Sequence, residues 1–185
     1  MRSGRILIAL VIAAIGGLFY FCRTEVNPVT GEKQRVAMST EQETALGLQT
    51  APQMAAELGG LHPDSTLQNY VEQLGERIVA QSAARGSKYQ YDFHLLADPE
   101  TVNAFALPGG QIFITAALLR RLQDEAQLAG VLGHEIGHVV GRHSAEHLAK
   151  AQLTQILVGA AGVAGSSEGS SGQQAAAVAA VVGQL

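Results

Sequence analysis

Between Leu128 and Val140 the chain is apolar on nearly every side of a helix, yet the same stretch carries His134, Glu135 and His138. Leu128, Ala129, Val131, Leu132, Ile136, Val139 and Val140 surround the three polar residues, so the helix must be buried, and buried imidazoles require partners. Residues four apart on a helix share one face about 6 Å from each other, so His134 and His138 can present ring nitrogens to a single tetrahedral metal ion. Glu135 lies about 100° round the same turn, where it can reach a water molecule rather than the ion. That division of labour is what metal-assisted hydrolysis needs: an ion to activate water and polarise a carbonyl, and a general base to carry the proton. The His-Glu-x-x-His spacing also arises by chance, as two surface histidines around a glutamate, and the apolar surroundings argue against that reading here. Gly133, Gly137 and Gly141 recur every fourth residue, although each glycine inside a helix costs about 1 kcal/mol relative to alanine. Something approaches that strip closely, either a neighbouring helix or the wall of an active site.

Asp124 with Gln127 supplies a capping signal for this helix, and the pattern predicts that it runs past His147. On one straight helix His143 projects about 180° from His134, and His147 about 220°, so neither can share its ion. Glu146 lies about 12 Å along the axis from His138, too far for a common ligand set. The position where a third histidine follows the glycine by three residues in metzincins is occupied by Ser144. Glu168 sits in a Ser/Gly tract that offers little of the rigidity a metal site requires.

A chain of 185 residues, 47% of them hydrophobic, can bury one sizeable core. The net charge of -4 and the scattered basic residues lack the cationic stripe that binding to a phosphate backbone requires, which excludes nucleic acid as a partner. Cys22 is the single cysteine, so neither an intrachain disulfide nor a cysteine-rich zinc site can form. Arg2 and Arg5 precede an uninterrupted apolar run from Ile6 to Cys22 that ends at Arg23, near the lower length limit for spanning a bilayer. A signal cleavage site at Ala14-Ile15-Gly16 would leave Leu18, Phe19, Tyr20 and Phe21 on the product, which favours an uncleaved transmembrane anchor over residues 1–23. Lipidation at Cys22 would call for small residues where Tyr20 and Phe21 stand. Arg23, Lys33 and Arg35 partly balance Arg2 and Arg5, and the simplest orientation leaves the short tail in the cytoplasm.

Residues 24–38 read as a linker with turn chemistry at Pro28 and Gly31, followed by the main domain over residues 39–185. Thr40 with Glu43 fits a capping box for a helix to about Gly59 that Pro52 breaks or kinks. Pro63-Asp64-Ser65 opens a second helix whose Leu67, Val71, Leu74 and Ile78 form a core face. Tyr89 to Leu95 alternates as a strand, with His94 on its solvated side. Val102–Leu107 and Gln111–Thr115 read as strands joined at Pro108-Gly109-Gly110, whose glycines either serve the turn or admit another backbone. A short helix over Ala116–Leu122 follows. After Gly159 a flexible Gly/Ser-rich loop through Gly172 leads to an Ala/Val-rich helix. These elements predict a mainly helical α+β domain with a small β-sheet beside the HEIGH helix.

The segments NPVTGEKQRV, STEQETALG, VNAFALPGGQIFIT and DEAQLAGVLGHEIGHVVGRH, in that order, resemble peptidase family M48, the HtpX-like and CAAX-prenyl-endopeptidase gluzincins. The resemblance covers nearly everything after the apolar N-terminus. It implies a zincin-like fold holding one zinc ion per subunit, with His134 and His138 as ligands and Glu135 as the catalytic base. It also implies that Asn103, Ala104, Phe105 and Ala106 form an edge strand that pairs with extended substrate. The family's third ligand is a glutamate in a later helix, within a Glu-x-x-x-Asp pattern that does not occur before Leu185, so the chain is expected to be a C-terminally incomplete fragment that is poorly active by itself. The expected activity of the complete protein is zinc-dependent endopeptidase cleavage of unfolded or misfolded envelope and membrane proteins. The expected location is a bacterial inner membrane, with the catalytic domain on the periplasmic side. The alternative is a catalytically incomplete chaperone-like or scaffold protein that keeps the peptidase fold.

Overall fold

A computed structural model describes residues 2–22 and 24–165. The chain is mainly helical with two small sheets, and it divides into two compact units. Among the described residues the first contains 2–22, 24–26, 33–37 and 145–165; the second contains 27–32 and 38–144.

In the first unit α1 (Arg2–Cys22) is long and apolar enough to cross a membrane, by length and composition. Most of its large side chains are exposed, including Leu7, Leu10, Leu18 and Phe21. Strands β1 (Thr24–Val26) and β2 (Lys33–Arg35) pair antiparallel, and the Arg35 guanidinium lies 5.0 Å from the Phe21 ring centroid. The greater part of α6 (His143–Gly165) belongs here too. A Cβ at Gly16 would come within 2.6 Å of Ile156, so α1 and α6 meet closely where glycine leaves room. The helix continues through Gly159 and Gly162, where the composition predicted a loop; Ile156, Ala160 and Val163 are buried along it, and that packing outweighs glycine's low helix propensity. The predicted Ala/Val-rich helix lies outside the described residues.

The second unit is a three-stranded sheet between helices. Strands β3 (Asp92–Leu96), β4 (Ala104–Ala106) and β5 (Gln111–Thr115) take the order β3-β5-β4, with β3 parallel and β4 antiparallel to the central β5. Phe93, Leu95, Ile112 and Ile114 project from one face against Val71 and Leu74 of α3 (Ser65–Gln81) and Leu128, Leu132, Ile136 and Val139 of α5 (Glu125–Val140). On α3 the Asp64 cap and buried Val71 and Leu74 match the sequence pattern, whereas Leu67 is exposed. The short α4 (Ala116–Leu119) links β5 toward α5.

Helix α2 (Thr40–Glu57) begins one residue earlier in its cap than the sequence suggested. Ser39 is the N-cap, in a capping box with Gln42, and Pro52 sits inside without ending the helix. Glu43 is thereby freed from capping and is buried. The strand predicted from Tyr89 starts only at Asp92, because the preceding tyrosines serve side-chain contacts: Tyr91 meets the Ser87 hydroxyl and Tyr89 donates to Glu43. His94 is half-buried on the polar side of the strand. It stacks on Phe113 at 4.7 Å and hydrogen bonds to Gln111 at 2.9 Å.

Candidate active site

Helix α5 is opened by Asp124, whose carboxylate accepts from the Gln127 amide, while the Gln127 side chain accepts from Gln123 N–H. Its C-terminus is tied down by a residue 113 positions away: Asn27 Nδ2 donates to the Val140 carbonyl at 2.7 Å. The Asn27 side chain is aligned by its own turn, in which Oδ1 accepts from Val29 N–H and Thr30 N–H. An orphan carbonyl of the last helical turn is thus satisfied by a buried amide. The turn chemistry around Pro28 and Gly31 was legible, but its target was not.

Along α5, His134 and His138 lie on one face with their Nε2 atoms 3.1 Å apart and their rings edge to face at 82°. Glu135 is 9% exposed and belongs to the buried set of the helix, whereas His134 is open and His138 half-buried. Two imidazole nitrogens on a tetrahedral zinc, each at about 2.0–2.1 Å, stand about 3.4 Å apart. The observed separation is close to that value, so the pair fits two positions of such an ion. Among the described residues no group of three or more His, Cys, Asp or Glu is gathered for a metal. The two histidines therefore form an incomplete set within residues 2–22 and 24–165; Glu168 lies outside them.

The straight helix used to exclude His143 is not what forms. Helix α5 ends at Val140, Gly141 is its C-cap, and Arg142 adopts a left-handed backbone with φ 54° before α6 begins at His143. A non-glycine residue in that region costs about 1–2 kcal/mol and persists only where its surroundings hold it. Here the Arg142 guanidinium is buried against Glu43, with Nη2 and Nε at 2.6 and 2.8 Å from Oε1, and Nη2 also donates to the Met38 carbonyl at 2.7 Å. The reversal carries the His143 ring back to His138, Nδ1 to Nδ1 at 2.7 Å. His143 thus meets His138 on the ring nitrogen opposite the one facing His134.

The glycine strip resolves unevenly. A Cβ at Gly133 or Gly137 would meet nothing within 4 Å, so no neighbouring helix packs there among the described residues. At Gly141 it would strike the His143 ring at Nε2, 2.6 Å away. The turn glycines are different: Gly109 and Gly110 have φ of 84° and 110°, and a Cβ would lie 2.7 Å from Thr44 N and from the Gln90 carbonyl respectively. They serve the turn and admit a neighbouring backbone as well.

Strand β4 packs against α5, and Phe105 stacks on Phe113 at 4.9 Å while Ala104 and Ala106 face the core. Asn103 lies just outside the strand, its carbonyl accepting from Thr115 N–H at 3.0 Å. A crevice lined by Ala106, Leu107, His138, Arg142 and Ser144 joins the C-terminal end of the strand to His138.

Comparison with known proteins accords with this arrangement. The sequence model described as Peptidase family M48 matches residues 65–185. The mitochondrial metalloendopeptidase OMA1 of Schizosaccharomyces pombe is 34% identical over 152 residues, covering 80% of this chain and 43% of that protein. The beta-barrel assembly-enhancing protease of Yersinia pestis is 34% identical over 128 residues, 69% of this chain and 26% of that protein. Its Escherichia coli (strain K12) counterpart is 41% identical over 101 residues, 54% of this chain and 20% of that protein. The chain spans less than half the length of each of these relatives. With the family match covering well over half the chain and containing the whole of the HEIGH helix, the chain belongs to peptidase family M48.

Proposed function

We propose that the complete protein is a zinc-dependent endopeptidase in which His134 and His138 hold the ion and Glu135 is the general base. The observation that carries this reading is the 3.1 Å convergence of two Nε2 atoms one helical turn apart, with a buried carboxylate between them in sequence. When bound, zinc supplies a Lewis acid that lowers the pKa of water and polarises the scissile carbonyl. The carboxylate of Glu135 takes the proton from the attacking water and delivers it to the departing amide nitrogen. Residues 103–106 bind an extended stretch of substrate as an added strand, placing its backbone beside α5. The third ligand is proposed to come from a later helix, and without it residues 1–185 alone are expected to bind zinc weakly.

The apolar helix serves as a membrane anchor over residues 1–23, residues 24–38 form the linker, and residues 39–185 form the peptidase domain in this reading. Substrates are unfolded or misfolded proteins of the envelope or membrane, met on the periplasmic face of a bacterial inner membrane. Support for a protein substrate comes from the relatives named as metalloendopeptidase and protease. The test is casein hydrolysis by the full-length, zinc-loaded protein and its Glu135→Gln variant. Removing the base should slow turnover by about 10²–10⁴-fold with zinc content unchanged. Equal hydrolysis by the variant would refute the assigned base, and no hydrolysis by either protein would favour the scaffold alternative.

A further inference from the structure

We propose that His143 is a positioning residue for His138: it accepts a hydrogen bond from His138 Nδ1 and so fixes the ring and the tautomer that present Nε2 toward His134. The inference rests on the peptidase reading and extends it to a residue outside the HEIGH run. Its first support is geometric. His138 Nε2 lies 3.1 Å from His134 Nε2, while His138 Nδ1 lies 2.7 Å from His143 Nδ1 with the rings edge to face. The two nitrogens of one imidazole are therefore divided between two neighbours.

Chemistry fixes the direction of the second contact. A neutral imidazole that gives its Nε2 lone pair to an ion carries its proton on Nδ1, and that N–H needs an acceptor. A carboxylate or a backbone carbonyl commonly fills this place. Here the acceptor is Nδ1 of His143, which must then hold its own proton on Nε2.

The backbone is built to bring the two rings together. On an uninterrupted helix His143, five residues on, would lie about 140° round from His138. The left-handed turn at Arg142, held by Glu43, removes that separation. Gly141 then leaves room for the ring, since a Cβ there would come within 2.6 Å of His143 Nε2 and 2.9 Å of its Cδ2.

The experiment measures zinc affinity of the full-length protein by chelator competition, with zinc itself as the probe, and the imidazole tautomers by long-range nitrogen-15 NMR. Wild type should show His138 protonated on Nδ1 alone. His143→Ala should lose about 10–100-fold in zinc affinity, the usual effect of removing an outer-shell partner, and should populate both His138 tautomers. His143→Gln, whose carbonyl oxygen can accept the same bond, should recover most of the loss. Gly141→Ala, which displaces the ring without removing it, should weaken zinc in the same direction. Undiminished affinity and an unchanged tautomer in His143→Ala, or in Gly141→Ala should the His143→Ala variant not fold, would overturn the proposal. A wild-type protein that takes up no zinc would instead remove the peptidase reading, and this inference with it.

Discussion

Glu43 and Arg142 show how much of the site depends on single residues outside the motif. Both side chains are 2% exposed, and they are joined at 2.6 Å across 99 positions of sequence. Removing one member of a buried pair leaves the other charged and uncompensated, which typically costs about 3–5 kcal/mol. Glu43→Ala is therefore expected to destabilise by that amount in chemical denaturation. The double variant Glu43→Met with Arg142→Met should lose less than the sum of the single changes, because neither charge is then stranded. Additive losses would show that the pair is not coupled. The shared helical face of His134 and His138 was legible because a four-residue spacing is a local property. The partner of Glu43 was not, since its sequence neighbourhood pointed to capping and nothing local records a contact so distant along the chain. His143 was misplaced for a related reason: the turn at Arg142 is imposed by that same distant carboxylate, so a regular helix was the only extrapolation available.

At the scale of elements, the two edges of the β3-β5-β4 sheet are treated differently. The β3 edge is covered: Gln68 donates to the Phe93 carbonyl and accepts from Leu95 N–H, and His62 N–H donates to the Leu95 carbonyl. No strand pairs with the far side of β4 among the described residues. The ladder of β4 to β5 includes Leu107 N–H to the Gln111 carbonyl and Thr115 N–H to the Asn103 carbonyl. By antiparallel alternation, the backbone groups of Ala104 and Ala106 then face away from β5, available to an incoming chain. Proline at position 106 would remove one outward donor and leave the β5 ladder in place. In the full-length protein Ala106→Pro should raise KM for an extended peptide roughly 2- to 10-fold, the equivalent of one net hydrogen bond of about 0.5–1.5 kcal/mol. An unchanged KM would argue against strand addition at this edge. The alternation of apolar residues and the Pro-Gly-Gly turn made both strands legible to within two residues; which of them lay at an open edge depends on sheet order, which no single strand encodes.

Across the molecule, three segments distant in sequence converge on Glu43. Helix α2 supplies the carboxylate, Arg142 occupies Oε1, and the Tyr89 hydroxyl donates to Oε2 at 2.7 Å. Read from sequence, Tyr89 was simply an inward residue of a strand, because period-two alternation cannot distinguish a side chain packed under a sheet from one reaching out to an ion pair. Its phenol is held well above the ordinary tyrosine range, first by burial and then by the carboxylate it donates to, with Arg142 opposing in part. A raised folded-state pKa means that the native protein binds this proton more tightly than the unfolded chain. The resulting stabilisation is complete below the unfolded tyrosine value of about 10, and it is lost as pH rises from there toward the folded value. The melting temperature should accordingly fall above about pH 10. Burial also raises Tyr91, and Tyr70 is raised by desolvation and Glu125, so part of the decline will remain in any single variant. Tyr89→Phe should be about 1–2 kcal/mol less stable at neutral pH for want of the hydrogen bond, and its stability should fall less steeply in alkali. If wild type and Tyr89→Phe decline with the same slope above pH 10, the proton on Tyr89 does not contribute to holding the three segments together.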